Sequence, residues 1–405
     1  MQRCLVSQSE CETFLNFGRM PIANGFLTPS QFDTEYFFDL TVGFCPESRM
    51  VQLTSLVEPE KMFHENYAFF SSTSARMAQH FRDLAEEVRT RHLQSKDPFV
   101  VEIGSNDGIT LQHFAKEGIR HLGIEPSANV AEVAKNKGIQ TLSKFFDETL
   151  AQEIVSSQGQ ADVFLGANVM CHIPNLHSVA AGIRRLLKPN GVAIFEDPYL
   201  GDIVEKTSYD QIYDEHAFYF SAASVSQVFA CNGLDLVDVA PQHVHGGSMR
   251  YTLAHKGARP VSEAVRVQLA KEQTLGLHDP ATYVRLRNSI ERSRDELRSL
   301  LTQLKRHGKR VVGYGATSKS TTVTNYCGIT PDLVEYISDT TPIKQGKYSP
   351  GAHLPVRPYS EFAADYPDYA LLFAWNHGEE IMAKEQKFRA AGGKFIVYVP
   401  KVQVI

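Results

Sequence analysis

Residues 98–125, PFVVEIGSNDGITLQHFAKEGIRHLGIE, decide the fold of this chain. The apolar run PFVVEIG predicts a buried strand, and Gly104 and Gly108 lie in the turn between this strand and a predicted helix. Glycine in such a turn lets the backbone approach a ligand, toward which the helix amides point. Glu125 ends the next strand, where its carboxylate can accept hydrogen bonds from both ribose hydroxyls of a nucleoside.

The turn does not match the dinucleotide fingerprint, because it reads EIGSNDG and not GxGxxG. S-adenosylmethionine needs no pyrophosphate cradle, since its sulfonium and its amino-acid end must be held instead. Glu102 can orient that end, and Asn168 closes a later strand beside which the methionine portion would pass. The predicted cofactor set is Glu102, Gly104, Asn106, Gly108, Glu125 and Asn168. A strand-turn-helix of any α/β protein is the alternative interpretation, which the Glu125 carboxylate and the Asn168 strand end disfavour.

Strands and helices alternate from Pro98 onward, which is typical of an open α/β sheet with helices on both faces. Further strands are predicted at RHLGIEP, ADVFLGAN and GVAIFEDP, and helices at ANVAEVAKNKG and VAAGIRRLLKPNG. GSMRYTLAHKG is predicted to be the strand that closes this sheet. Residues 76–95 have apolar spacing near 3.6 residues and predict a helix before the first strand.

Three domains are predicted. Residues 1–75 hold short apolar pieces broken by Pro and Gly and predict a small β-rich domain. Residues 76–255 form the α/β domain described above. Residues 256–405 begin with charged helices that connect the domains and continue as a second α/β unit with strands RVVGYG, LVEYISD, YALLFAW and KFIVYVP.

Bulk composition excludes several classes of protein. The 405-residue chain has a formal net charge of -5, which disfavours a nucleic-acid partner. No apolar run reaches the roughly 20 residues that span a bilayer, and the first residues lack the apolar core of a signal peptide. The six dispersed cysteines are typical of free thiols in a reducing compartment. We expect a cytoplasmic monomer without a membrane partner.

Two histidine-bearing segments follow strands of the α/β domain. His172 comes just after ADVFLGAN, and the run YDQIYDEH ends at His216. Ligands of open α/β sheets bind beyond the carboxyl ends of the strands, so both histidines can face one crevice. Tyr213, Glu215 and His216 form a dense set of proton-handling groups, in which His216 suits a general base and Tyr213 suits donation to an oxyanion.

This set suits proton removal beside a carbonyl, followed by attack of the enolate carbon on a methyl group. It exceeds what methylation of an acidic hydroxyl would need. The alternative interpretation is structural, because histidines and tyrosines often lie half-buried with one satisfied hydrogen bond.

The segment RVVGYGATSKS predicts a phosphate site in the last domain. Amides and hydroxyls after its strand, together with the Lys319 charge, suit a phosphate, although a turn that simply packs is the alternative. A net acidic protein needs such a local basic group to hold a diphosphate. The predicted substrate-binding set is Tyr199, Gly315, Thr317, Ser318, Lys319, Asp339, Lys344, Asn376 and His377.

Several long runs of the sequence resemble one family, the sugar 3-C-methyltransferases of bacterial deoxysugar pathways, which make tetronitrose, mycarose and related branched sugars. The similarity covers nearly the whole chain. The runs that carry it are FHENYAFFSSTS, VEIGSNDGI, GIEPS, CHIP, FEDPYLGDIVEKTSYDQIYDEHAFYFS, VHGGSMRYTLA, VVGYGATSKSTTVTNYCGI, DTTPIKQGKYSPGAHLPV and YALLFAWNHGEEIMAKE.

The resemblance implies an N-terminal domain of the zinc-ribbon type, a class I (Rossmann-like) methyltransferase core and a C-terminal α/β domain that binds a sugar nucleotide. The implied substrate is a nucleotide-linked 4-keto-6-deoxysugar, usually dTDP-linked, which is deprotonated at C3 and methylated there. His216 matches the family's base, Tyr213, Glu215 and His172 match its assisting groups, and Tyr67 matches a tyrosine of its H-E-x-Y run.

The zinc site departs from the family pattern. The family has two Cys-x-x-Cys pairs, whereas the matching pairs here are Cys4 with Ser7 and Cys45 with Ser48. A serine hydroxyl is a poor zinc ligand, and a structural site needs four N or S ligands. Cys11 can replace one thiolate but not two. Either this domain folds without metal, or Cys4 and Cys45 are joined by ligands from elsewhere.

Two other functions remain open at the level of sequence. An O- or N-methyltransferase of a sugar or small metabolite would not exchange a substrate carbon proton with solvent. A binding or regulatory homologue would keep the fold without turnover, an idea that the lost cysteines support and that the retained Glu125, Tyr213, Glu215 and His216 oppose.

Overall fold

The structure is a computed structural model, and it describes residues 2–62 and 75–405. Its described strands form three sheets, of five, seven and six strands. The described strands are β1 (Gln2–Arg3), β2 (Glu10–Pro21), β3 (Phe37–Cys45), β4 (Met50–Leu53), β5 (Phe99–Ile103), β6 (Arg120–Ile124), β7 (Thr141–Leu142), β8 (Ala161–Ala167), β9 (Leu187–Pro198), β10 (Phe218–Tyr219), β11 (Leu234–Gln242), β12 (Ser248–His255), β13 (Val311–Tyr314), β14 (Ile337–Asp339), β15 (Val356–Pro358), β16 (Tyr369–Leu372), β17 (Lys394–Val397) and β18 (Gln403–Val404).

Helices cover both faces of the two larger sheets. The described α-helices are α1 (Pro59–Met62), α2 (Ala75–His92), α3 (Leu111–Lys116), α4 (Ala128–Asn136), α5 (Glu148–Gln158), α6 (Leu176–Leu186), α7 (Leu200–Lys206), α8 (Ala222–Ala230), α9 (Glu263–Leu275), α10 (Pro280–Arg306), α11 (Ser318–Tyr326), α12 (Tyr359–Ala364), α13 (Gly378–Lys384) and α14 (Gln386–Ala390).

The seven-stranded sheet has the order β11-β12-β9-β8-β5-β6-β7. Strands β5 to β9 within it are parallel, whereas β12 is antiparallel to both β9 and β11. This arrangement confirms the predicted class I core. Every residue of β5 is buried, as expected for a parallel strand covered on both faces. The chain runs from β5 outward to β6 and β7 and then crosses back to β8 on the other side of β5, so the strand order reverses at β5 and a crevice is expected at the carboxyl ends of β5 and β8.

One predicted element was wrong in its extent. The sequence VAAGIRRLLKPNG was predicted to be entirely helical, but α6 ends at Leu186 and Leu187 begins β9, opposite Ala161. Pro189 explains the difference, because a proline disfavours helical backbone at the residue before it and cannot donate the helix hydrogen bond.

The small N-terminal sheet has the order β1-β2-β3-β4-β10. Its last strand comes from far along the chain, since Phe218 pairs with Gln52 and Tyr219 with Val51. This pairing attaches the β-rich module directly behind the segment that ends at His216. The predicted domain boundaries after residues 75 and 255 stay predictions.

The C-terminal sheet has the order β15-β14-β13-β16-β17-β18, parallel except for β18. It follows α9 and α10, the helical connection that the sequence predicted. One apolar cluster joins all three parts of the molecule and includes Phe44, Tyr209 and Tyr283. Among the described helices, none combines the length and apolarity needed to cross a bilayer.

Candidate active site

The turn after β5 has the backbone that its glycines predicted. Gly104, Asn106 and Gly108 all adopt positive φ, at 56°, 49° and 80°. A Cβ at Gly104 would lie 2.7 Å from Val169 Cγ2, and one at Gly108 would lie 2.8 Å from Ile139 Cγ1. The glycines are therefore required by the backbone conformation and by packing within the protein, in addition to any approach of a ligand.

Glu125 is fixed by this turn. Its carboxylate accepts the backbone N–H of Asn106 at 3.0 Å and that of Ser127 at 2.9 Å. The side chain is 5% exposed, and burial raises its pKa. Each oxygen retains a second lone pair, so two ribose hydroxyls of a nucleoside fit this carboxylate.

Glu102 and Asn168 lie at the carboxyl ends of neighbouring strands. Glu102 Oε2 is buried and has no hydrogen-bond partner among the described residues. Burial, with the nearby charges of Glu125 and Asp107, raises the pKa of Glu102 to about 8, although Thr110 acts in the opposite direction. Asn168 has φ 52° and donates its backbone N–H to Glu196 O at 2.6 Å. A buried carboxyl oxygen without a partner suits the ammonium of an amino acid, so this strand edge fits the methionine end of S-adenosylmethionine.

His216 is held as a neutral imidazole. Its Nδ1 faces the carbonyl oxygen of Gln211 at 2.7 Å, so Nδ1 carries the proton and donates it. Nε2 then accepts from the Tyr213 hydroxyl at 2.8 Å. Burial, followed by the neighbouring His172, lowers the pKa of His216 well below its usual value. The Nε2 lone pair that a base needs is therefore present, but it accepts the hydrogen bond from the Tyr213 hydroxyl.

His172 lies against this pair. Its ring stacks on that of His216 with centroids 5.3 Å apart and planes 21° apart, and burial lowers its pKa to about 4. Cys171, His172 and His216 bring three potential metal ligands within 4.8 Å of one another. Both ring nitrogens of His216 are already engaged, by Gln211 and by Tyr213, so this group suits proton transfer better than metal binding.

The N-terminal module contacts the same segment. Asn24 donates its side-chain amide to Glu215 Oε1 at 2.7 Å, and Ala23 N donates to Asp214 Oδ1 at 2.9 Å. Asp214 is buried, and burial together with Glu215 raises its pKa to about 8. The predicted site residue Tyr67 lies outside the described residues.

Two lysines of the C-terminal unit, Lys319 and Lys344, point into the molecule. Lys319 Nζ donates to His245 O at 3.1 Å and lies 5.2 Å from the centre of the Trp375 ring. Lys344 Nζ donates to Ala316 O at 2.8 Å. Both side chains are only 8% exposed, and their charges reach the predicted catalytic residues, Lys319 at His216 and Lys344 at Glu215. The structure thus joins these two predicted residues to the histidine site.

The other predicted substrate residues of the C-terminal unit lie in two places, around the start of α11 and after β16. Thr317 caps α11 by accepting Ser320 N at 3.2 Å, and Gly315 has φ 91°. Asp339 accepts Ala316 N at 2.6 Å, so its carboxylate orders the turn that Gly315 begins. Ser318 starts α11, whereas Asn376 and His377 lie half-buried after β16.

Tyr199 lies apart from the C-terminal sheet. It is 2% exposed, and its hydroxyl accepts from Gln268 of the connecting helix α9 at 2.6 Å.

Sequence reasoning missed Asp197. This residue is fully buried beside Cys171 at the end of β9, and neither carboxyl oxygen makes a hydrogen bond of normal geometry within the described residues. Burial is the main cause that raises its pKa to about 8. Its place at the carboxyl end of a parallel strand, in FEDP, was the signal that could have identified it.

Among the described residues, the N-terminal thiols do not make up the four ligands of a structural zinc site. Cys4 Sγ lies 3.1 Å from Ser48 Oγ, and Cys45 Sγ lies 3.4 Å from Ser7 Oγ. Ser7 and Ser48 therefore occupy the places of two thiolates, and even with the neighbouring Cys11 the thiols number three, a set that does not fit structural zinc. Burial raises the pKa of Cys45, but hydrogen bonds from Ser48, Ser7 and Ser9 outweigh it and lower that pKa to about 7.

Known proteins match the chain along its length. Three family models match the chain: that of a candidate zinc binding domain matches residues 4–63, that of a methyltransferase domain matches residues 74–239, and that of a C-methyltransferase C-terminal domain matches residues 243–400. C-methyltransferase NovU from Streptomyces niveus is 35% identical over 96% of this chain and 93% of its own length. The chain belongs to the C-methyltransferase family. This C-methyltransferase is an enzyme, and S-adenosylmethionine is its methyl donor.

Shorter similarities are confined to one part of the C-methyltransferase. The ubiquinone biosynthesis O-methyltransferase of Escherichia coli O7:K1 is 29% identical over 100 residues, which are 24% of this chain and 41% of that protein. The structure of magnesium protoporphyrin IX methyltransferase from Synechocystis PCC 6803 with bound SAM is 13% identical, with a TM-score of 0.34, over 44% of this chain and 79% of that one.

Proposed function

We propose that this enzyme methylates C3 of a nucleotide-linked 4-keto-6-deoxysugar, with dTDP as the nucleotide. The observation that carries the proposal is the buried, neutral His216 imidazole, whose Nε2 accepts a hydrogen bond from the Tyr213 hydroxyl at 2.8 Å. A carbon acid needs a base for its proton and a donor for the oxyanion that forms. The pair Tyr213 and His216 supplies both.

We expect the substrate ketone to draw the Tyr213 hydroxyl away from His216 Nε2, which leaves the base free to act. Tyr213 donates to His216 Nε2 before the substrate binds, and the same hydroxyl can turn to donate to the C4 oxygen. His216 Nε2 then takes the proton from C3, the C–H electrons form the C3–C4 double bond, and the carbonyl electrons move to the oxygen. Attack of C3 on the methyl carbon breaks the methyl–sulfur bond and restores the ketone. His216 ends the cycle protonated and returns its proton to solvent.

We expect the negatively charged groups of the substrate to bind beside the C-terminal unit. Lys319 and Lys344 are buried cations whose fields reach the segment that contains Glu215 and His216. Burial lowers the pKa of both lysines, so each gains from an anionic partner. We assign the diphosphate and the developing enolate to this side of the crevice. We also propose that the enzyme is a cytoplasmic monomer.

Deuterium exchange tests the proposed chemistry. The purified enzyme is incubated in deuterated water with dTDP-4-keto-6-deoxyglucose, without and with S-adenosylmethionine. Deuterium at C3 without the cofactor, and a gain of one methyl group with it, are expected. His216→Asn should slow both by on the order of 10² to 10⁴. His307→Asn is the control, because His307 is exposed at the end of α10.

Different outcomes separate the alternatives. Methylation without exchange at C3 would favour an O- or N-methyltransferase. If the enzyme binds S-adenosylmethionine but neither exchanges the C3 proton of this sugar nor methylates it, the proposed substrate is wrong. Near wild-type turnover in His216→Asn would transfer the role of base to His172.

A further inference from the structure

The loop between β11 and β12 has an unusual backbone at His245. His245, Gly246 and Gly247 adopt consecutive positive φ values of 54°, 92° and 130°. Glycine tolerates such angles, whereas a histidine is held there only when its surroundings compensate. A Cβ at Gly246 would collide with the Trp375 ring, so the loop lies closely against the C-terminal unit. Strained residues of this kind concentrate at ligand sites.

The His245 backbone is anchored to the base. Its carbonyl oxygen accepts from Lys319 Nζ and from the Gln211 side-chain amide. The backbone carbonyl of Gln211 in turn accepts from His216 Nδ1. The position of residue 245 is therefore fixed relative to both His216 and α11.

The His245 side chain is directed into the seam between the two α/β units. Nε2 is buried and finds no hydrogen-bond partner among the described residues. The charged groups that act on the ring come from both sides, first Lys319 and His377 of the C-terminal unit and then His80 and Glu196 of the methyltransferase domain. Because buried ring nitrogens are normally paired, this one points to a missing ligand.

We propose that His245 is a substrate-contacting residue whose Nε2 forms a hydrogen bond with the nucleotide-linked sugar. This inference rests on the proposed function. The sugar nucleotide is favoured over the cofactor because Lys319 and His377, the two ionisable groups with the largest effect on the ring, belong to the C-terminal unit. The cofactor turn after β5 supplies neither group.

The test uses two matched histidines. His353 also has positive φ, at 50°, but its Nε2 bonds Glu35 at 2.8 Å and its ring stacks on Phe32. Asparagine tolerates this backbone, so His245→Asn and His353→Asn remove each ring without imposing strain. The KM for the sugar nucleotide, the Kd for S-adenosylmethionine and the Tm are measured for both variants and the wild type.

His245→Asn should raise the KM for the sugar by about tenfold or more, the scale of one lost hydrogen bond to a ligand, and leave the cofactor Kd and the Tm unchanged. His353→Asn should lower the Tm and leave both binding constants unchanged. His245→Gly, which removes the backbone strain, should raise the sugar KM as His245→Asn does and serves if the asparagine variant fails to fold.

An unchanged sugar KM in both His245 variants overturns the inference. A weakened cofactor Kd with an unchanged sugar KM also overturns it, since the ring would then belong to the cofactor site. If the wild type does not turn over the ketosugar, the proposed function fails instead, and the two failures are thus distinguishable.

Discussion

Glu102 is the predicted cofactor-site residue whose charge we expect to depend on its ligand. It is 3% exposed, and its pKa is raised to about 8, mainly by burial. Near neutral pH the free enzyme therefore holds this carboxyl largely protonated. A ligand ammonium favours the ionised form, so cofactor binding and loss of the Glu102 proton are coupled.

We predict that binding of S-adenosylmethionine releases a proton at pH 7. The carboxyl must ionise to pair with the ammonium, so affinity rises as the pH increases from 6 to 8 and levels off as the pH passes the free-state pKa of about 8. Calorimetric titration in two buffers with different ionisation enthalpies measures the released proton. Glu102→Gln should abolish the buffer dependence, and identical heats in both buffers for the wild type would contradict the coupling.

Tyr213→Phe tests the proposed movement of the tyrosine hydroxyl. The variant leaves His216 Nε2 free but removes the donor to the enolate oxygen, so kcat should fall by about 10² to 10³ while the KM changes little. Steady-state kinetics and the rate of deuterium uptake at C3 measure the effect. Faster exchange in Tyr213→Phe than in the wild type would show that the hydroxyl only obstructs the base.

At the scale of elements, local signals predicted the cofactor turn well. The apolar run before Gly104 and the spacing to Glu125 are properties of a short segment, and the structure has the strand, turn and helix there. The contacts of Glu215 were not predictable, because Asn24 lies 191 residues away and carries no motif. Asp197 was missed for a related reason, since its burial depends on packing around the whole strand edge.

The N-terminal sheet keeps the ligand positions of a zinc site but not its chemistry. The backbone N–H groups of Val6 and Ser7 still point at Cys4 Sγ, at 3.4 and 3.5 Å, and the serines contact the thiols. The turns are thus stabilised by N–H···S and hydroxyl–thiol hydrogen bonds. We predict that Ser7→Cys with Ser48→Cys restores binding of one zinc ion per chain.

Elemental analysis of purified protein measures that gain. The wild type should contain far less zinc than the double variant, and a chelator should lower the Tm of the double variant alone. Ser55→Cys with Ser156→Cys adds the same number of thiols outside this cluster and is the control. Stoichiometric zinc in the wild type would show that other ligands complete its site.

At the scale of the molecule, all three parts meet at residues 209–216. The N-terminal module contacts this segment through Ala23 and Asn24. The C-terminal unit reaches it through Trp375 and Tyr398, which both donate to the buried Asp210. The proposed base, His216, is therefore positioned by contacts between domains, which explains why its surroundings could not be deduced from the strand pattern alone.

Thr322 offers the sharpest test of this positioning. Its hydroxyl donates to Ile212 O at 2.7 Å, one residue before Tyr213, whereas the Thr324 hydroxyl on the same helix donates to Thr321 O at 3.2 Å. Thr322→Val keeps the shape but leaves a buried carbonyl unpaired, at a cost of about 1–3 kcal/mol in unfolding free energy. Because small misplacements of catalytic groups are costly, kcat should fall by about 10- to 100-fold with cofactor affinity unchanged.

Thr324→Val is the matched control, since it removes an equally buried hydroxyl from a bond within α11 itself. It should reduce the unfolding free energy without reducing kcat. Chemical denaturation and steady-state kinetics on both variants separate the two effects. Equal losses of kcat would mean that the helix acts only through stability, and the segment 209–216 would then hold His216 in place without help from the C-terminal unit.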